Sequence, residues 1–257
     1  MADNLDIVIP LGTGSKFRDA ELVFALRSIE RHAIGYRRVV VVGERPGFLY
    51  KSRFCECVRH GDVEGNKEYR IAAKFAWAFE NISDLTPDIV MWNDDYVLMR
   101  RTDVRTVKPE HKGSLEEAAA VHSSARYGSA LSLTAQTLEK AGLRSLHYDI
   151  HQPIIYNREK FLTLKDFWDI SRDSFSGMVV KSIYANNALK DADPGKEVKD
   201  LKLNSFINPA RLKRRVGNRW MFSYSDRALQ RGLLAWLKRE YPKPSKFEKR
   251  HGNSLKC

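Results

Sequence analysis

"IVMWNDDYVLMR" occupies residues 89–100. Apolar runs on either side enclose Asn93, Asp94 and Asp95, three consecutive oxygen-bearing side chains. Taking a carboxylate out of water is costly, and two adjacent ones repel unless a cation neutralises them. Asp and Asn do form turns at strand ends. A turn, however, requires neither the apolar "DIVMW" (88–92) before it nor "YVLM" (96–99) after it. Hard oxygen donors suit Mg2+ or Mn2+, which usually share their coordination sphere with substrate phosphates. The stretch is therefore expected to end a buried strand in a divalent-metal motif.

Upstream, "LDIVIP" (5–10) reads as a buried strand closed by Pro10, and "GTGSKFRD" (12–19) as a loop. Leu22, Leu26 and Ile29 recur at helical spacing over 19–32. Four valines in "RRVVVVGE" (37–44) make a second buried strand. Buried strands joined through a helix predict a βαβ unit and a parallel sheet. The loop is not a P-loop, because Lys16 is followed by Phe17, and it lacks the third glycine of a dinucleotide fingerprint. Its place after the first strand still favours backbone contact with a ligand around Pro10 and Gly12.

Residues 66–81 predict a helix with Ile71, Phe75, Ala78 and Phe79 on one stripe and Lys67, Arg70 and Lys74 on another. Ser114 and Glu117 have capping-box spacing for a helix over 114–121. Further helices are expected over 131–141, stopped by Gly142, and over 226–240, with Leu229, Leu233, Trp236 and Leu237 on one face. "LHYDIHQPIIYNREKF" (146–161) places two histidines and Asp149 just before an apolar run. Asp149 is the candidate base for an acceptor hydroxyl.

"DIVIP", "ELVFALRSIERH", "VVVVGE" and "WNDDYVL", all within residues 5–100, resemble the nucleotide-sugar glycosyltransferases of the GT-A fold. "ALRSIERH" followed by "NDDYVL" is similar to the Stealth-type sugar-phosphate transferases. The whole layout, down to "YPKPSKFE" (241–248), is similar to small phage-type glycosyltransferases. One departure stands out: Asn93 replaces the first Asp of a DxD motif, leaving Asp94 in the middle and Asp95 at the last position, which binds metal in the family. The resemblance implies a Mn2+ or Mg2+ ion bridging the phosphates of a nucleotide sugar, UDP-linked. It also implies His151, or else His147, as a further ligand, since a late histidine has that role in some GT-A enzymes. A cation placed there stabilises charge that builds on the leaving diphosphate. Asn93, Asp94, Arg70 and Lys74 are assigned to donor binding on the same basis, with Asp94 also catalytic.

The formal net charge of +12 is uneven. Residues 201–257 hold 15 Lys/Arg and 3 Asp/Glu, and residues 1–200 hold 29 of each. A localised excess speaks to an anionic partner, with a solvated basic tail as the alternative. Arg211, Lys213, Arg214, Arg215 and Arg219 form its densest run and are the candidate nucleic-acid contacts. Trp220, Phe222 and Tyr224 follow, either to stack on bases or to pack in a core. Cys55, Cys57 and Cys257 lack the partners of a structural zinc site and are expected as ordinary thiols. No apolar run is long enough to span a membrane, and the start resembles no signal peptide, so a cytoplasmic protein is expected, in the host cell if phage-encoded.

The expected architecture is thus mixed α/β, GT-A-like (Rossmann-like), with a mainly parallel sheet flanked by helices. Residues 1–200 are expected as the core and 201–257 as a basic helical extension packed on it. The expected activity is metal-dependent transfer of a sugar to a hydroxyl, foremost a hydroxymethylated pyrimidine in DNA, which must be flipped out of the duplex. The alternatives are a sugar or sugar-phosphate transferase acting on a surface polysaccharide, and a non-catalytic nucleic-acid-binding protein.

Overall fold

The computed structural model describes residues 3–122, 125–199, 202–205 and 208–249. The chain begins with β1 (Leu5–Leu11), α1 (Ala20–His32), β2 (Ala33–Ile34), β3 (Tyr36–Gly43) and β4 (Cys55–Arg59). Next come α2 (Lys67–Asn81), β5 (Asp88–Met91), β6 (Tyr96–Leu98), β7 (Thr102–Asp103), a single 3-10 turn and β8 (Glu110–His111). The middle holds α3 (Leu115–Val121), α4 (Arg126–Lys140), β9 (Ile154–Asn157), α5 (Arg158–Leu162), α6 (Lys165–Asp173) and α7 (Val180–Ala188). The last elements are β10 (Lys196–Glu197), β11 (Lys202–Leu203), α8 (Pro209–Val216), β12 (Met221–Tyr224) and α9 (Arg231–Glu240). The class is mixed α/β, mainly parallel in its long strands and flanked by helices, as expected.

Two compact units divide the chain. The first comprises residues 1–59, 92–105 and 201–257, the second 60–91 and 106–200. The C-terminal residues, expected as an extension on a 1–200 core, therefore share a unit with the first strands.

In the first unit β3 lies between β1 and β4, parallel to both, with Val8 opposite Val40 and Val41 opposite Cys57. Val39 to Val42 are wholly buried, which is why this run does not alternate in polarity. Helix α1 is buried from Ala20 through Ile29, so it is enclosed on more than one face. Phe24 packs in one cluster with Phe222, Leu229, Leu233, Trp236 and Leu237. Strand β12 pairs antiparallel with β6, Phe222 opposite Val97. Buried Arg27 on α1 donates to both Glu248 carboxylate oxygens (2.8 and 2.7 Å) and to the Tyr241 carbonyl (2.9 Å). The Tyr241 hydroxyl in turn donates to the Leu98 carbonyl.

In the second unit β5 and β9 pair antiparallel, Val90 opposite Ile155. Phe75, Tyr156, Phe161, Trp168 and Tyr184 pack as an aromatic core, with ring centroids 4.5–6.0 Å apart. Asn66 caps α2 by accepting from the Tyr69 amide (2.9 Å), and Ser114 caps α3 by accepting from the Glu117 amide (3.1 Å). The Ser114 expectation is met, although the hydroxyl donates to Glu116 and not to Glu117. Helix α4 begins at Arg126, earlier than expected, and α9 begins at Arg231, later. Among the described residues no helix is long and apolar enough to cross a membrane.

Candidate active site

The acidic motif lies in the first unit. Trp92 continues beside β1, its amide donating to the Val8 carbonyl (3.0 Å). The chain then turns through Asn93, Asp94 and Asp95, and the Tyr96 amide closes the turn on the Asn93 carbonyl (3.2 Å). Trp92 and Tyr96 are fully buried, while the three polar residues between them are half-buried. The carboxylates thus sit on a rigidly held turn at the end of a buried segment.

Pro10, half-buried near the end of β1, pairs in register with Val42, and Gly12 just beyond is exposed with open space at its Cα. The loop then passes through Arg18 (φ 54°) and Asp19 (φ 59°), two consecutive non-glycine residues in the left-handed region. Such backbone is held only when the surroundings over-determine it. Ser15 does so: its hydroxyl accepts from the Phe17 and Asp19 amides (3.2 and 2.8 Å) and donates to Glu21 (3.0 Å). Burial pushes the Glu21 carboxyl up from its ordinary value, and Asp226 and Asp19 add to this. Tyr224 of β12 is buried, its hydroxyl has no hydrogen-bond partner, and its pKa is raised by burial and then by Glu21, Asp95 and Asp94. The structure therefore brings the acidic motif together with Glu21 and Tyr224, neither of which the sequence marked.

Asp94 and Asp95 offer hard oxygen donors of the kind Mg2+ and Mn2+ prefer. Among the described residues no group of three or more His, Cys, Asp or Glu side chains gathers to hold a cation. The donor set therefore fits an ion that takes the rest of its shell from phosphate oxygens and water. His151 lies in the second unit, where its charge acts on Asp149. Cys55 is buried and burial raises its thiol to about 12; Cys57, half-buried, is raised as well, so both are neutral thiols. Cys257 lies outside the described residues.

The second unit holds a denser polar cluster. The Tyr127 hydroxyl on α4 donates to Asp149 (2.7 Å), so His147 Nε2, 3.0 Å from the same oxygen, serves as donor to it. Lys181 on α7 is buried and donates to the Ile150 and Gln152 carbonyls (2.5 and 2.8 Å). Burial alone would raise the Asp149 pKa. The charges of His151, Lys181 and Lys112 and the Tyr127 hydrogen bond outweigh it and hold the carboxyl well below the usual range. An anion so stabilised is a weak base. Glu68, in the first turn of α2, behaves in the opposite way: burial and then the Asp149 charge raise it to about 7, against Lys67 and Arg126.

Arg70 and Lys74, expected at the donor phosphates, belong to this unit and both pair with Asp62. Lys74 is buried, so its charge is already neutralised by that partner. Helix α8 is amphipathic. Leu212 and Val216 are buried, while Arg211, Lys213, Arg214 and Arg215 are exposed, as is Arg219 just beyond. Phe222 and Tyr224 pack in the core and are unavailable for stacking on bases; Trp220 is half-buried.

No family model matches the chain, and no curated protein matches it. Among solved structures, that of mouse xyloside xylosyltransferase 1 in its apo form is a distant likeness. The TM-score is 0.39 at 10% identity, over 86% of this chain and 97% of that one.

Proposed function

We propose that the protein is a metal-dependent glycosyltransferase that moves a sugar from a nucleotide sugar, UDP-linked by the resemblance noted above, to a hydroxyl acceptor. The observation that carries this reading is the turn at Asn93–Asp95, two half-buried adjacent carboxylates between wholly buried neighbours. Asp95 and Asp94 would hold the Mg2+ or Mn2+ ion, which when bound supplies positive charge to the leaving diphosphate. Pro10, Gly12 and Asn93 line the donor's approach at the ends of the same strands. Asp149 is the acceptor-side carboxylate, kept ionised by the cations around it.

The acceptor in this reading is a hydroxymethylated pyrimidine in DNA. Its support is the exposed cationic face of α8, which matches a phosphate backbone. A second reading, transfer of a sugar or sugar phosphate to a surface polysaccharide, draws on a different observation. Much of residues 201–257 is folded into the first unit, so the location of the charge there has a structural component. Assays of donor hydrolysis and transfer with Mn2+ or Mg2+, across several nucleotide sugars and with both acceptor types, test the proposal. No turnover with any donor would refute it.

A further inference from the structure

We propose that Glu68 is the group that takes the proton from the acceptor hydroxyl, with the buried Tyr156 phenol as a second polar contact for that acceptor. This rests on the glycosyl-transfer reading and extends it.

The backbone at Glu68 is tightly fixed. Asn66, two residues earlier, donates to the Ser171 and Ser174 carbonyls (2.5 and 3.0 Å) while capping the helix. Gly177, at φ +78°, lies so close that a Cβ there would sit 2.2 Å from Asn66 Oδ1 and 2.7 Å from Glu68 Cβ. A site group must be held this way to act on one atom of a ligand.

The carboxyl itself is not used by the fold. Among the described residues Glu68 makes no side-chain hydrogen bond and no ion pair. The Tyr156 hydroxyl is fully buried, lacks a partner, and lies in the field of both Asp149 and Glu68. A buried hydroxyl left unpaired is costly, and such groups call for an explanation. A hydroxylated ligand would satisfy the phenol and the carboxylate together.

The division of roles follows from the environments. Two neighbouring carboxyl groups pushed apart in acidity define one fixed anion and one proton carrier. Asp149 is the fixed anion. Glu68 exchanges its proton near neutrality, where a general base is most effective. The charged and titratable groups around it are Asp149, Lys67 on its own helix, Arg126 on α4 and Tyr156 on β9. Helices α5, α6 and α7 also pack against α2. On α6, Arg172 pairs with Asp169; on α7, Lys181 is held by two carbonyls; on α5, Glu159 and Lys160 are exposed.

In the step, the acceptor O–H bond breaks and its proton passes to the Glu68 carboxylate. The acceptor oxygen bonds to the anomeric carbon of the nucleotide sugar. The bond from that carbon to the diphosphate oxygen breaks, and its electron pair leaves with the diphosphate.

In Glu68→Gln, kcat for transfer should fall about 100-fold or more with donor KM unchanged. The limb of the wild-type pH profile that rises through about pH 7 should vanish. In Tyr156→Phe, acceptor KM should rise while that limb stays. Infrared titration of the unliganded protein supplies a readout independent of turnover: a carboxyl ionising near pH 7 in the wild type and missing in Glu68→Gln. Full kcat in Glu68→Gln, a retained limb, or no such carboxyl overturns the proposal. If the wild type transfers nothing, the glycosyl-transfer reading falls and the base role with it, and a persisting infrared band locates the error in the reaction and not in the carboxyl.

Discussion

Asp94 and Asp95 are set apart from surface carboxylates by their neighbours, since buried Trp92 and Tyr96 leave the turn no freedom to relax outward. Replacing a ligand on such a turn removes chemistry without removing packing. Asp95→Ala should abolish transfer and Asp94→Ala should impair it severely, both with an unchanged melting curve. Wild-type activity surviving in excess EDTA would contradict the metal. Glu68 gives a second test that needs no substrate. Its folded pKa, about 7, lies above the model value of 4.5, so the folded state favours the protonated form. The stability this contributes is complete below about pH 4.5 and is lost as pH rises through about 7. Glu68→Gln should therefore stabilise the protein at pH 8, by at most about 3 kcal/mol, and change little at pH 4; denaturant melts at the two pH values measure this. Asp149 has the opposite sign: its depressed pKa lends stability above the ordinary carboxylate value, which acid removes. Neither behaviour was legible in the sequence. "NKEYR" advertised its cations, and the burial that makes Glu68 unusual comes from residues 66–177 folding around it. Asp149 was marked by its histidines, but the Lys181 and Lys112 that hold it ionised lie about 30 to 40 positions away in sequence.

At the scale of elements, helix α8 separates two uses of one basic run. Leu212 and Val216 anchor it, and Lys213, Arg214 and Arg215 project outward. Alanine at those three positions should leave the fold intact. If about five phosphate contacts form, log K against log[salt] should slope by roughly −4 to −5, and the triple variant should flatten it by about 2–3. Donor hydrolysis without acceptor should be nearly untouched. Binding of the wild type that is absent or insensitive to salt would remove the nucleic-acid acceptor and favour the polysaccharide. The elements legible beforehand were those whose burial is written in consecutive residues: Val39 to Val42 in β3, the apolar stripe of α2, and "DIVM" of β5. Strand β12 was not legible, because "MFSY" is short and its meaning depends on β6, over a hundred residues earlier. The same long-range pairing turned Phe222 and Tyr224, which look available for stacking, into core. Strand β4 was missed because Glu56 and Arg59 interrupt its apolar character and it pairs in register only once β3 is in place.

At the scale of the molecule, residues 201–257 belong to the first unit as structure and not as an appendage. Leu203, Leu212, Phe222, Leu229, Leu233, Trp236 and Leu237 all come from this segment and share a buried cluster with Phe24 and Val97. Burying each such side chain is worth about 1.5–3 kcal/mol, so together they match or exceed the about 5–15 kcal/mol by which a domain is stable. The ion pair between Arg27 and Glu248 adds to this, since removing one partner of a buried pair costs about 3–5 kcal/mol. Arg27→Ala alone should lower the melting temperature by several degrees. A fragment of residues 1–200 strands Arg27 without its partner, leaves β6 without β12 and exposes α1. That fragment should therefore show no cooperative thermal transition and should bind a hydrophobic dye in the absence of denaturant. Differential scanning calorimetry beside the full-length chain decides the point. A sharp transition in the fragment, close to that of the whole protein, would mean that residues 1–200 fold independently and that the C-terminal segment is a basic extension after all.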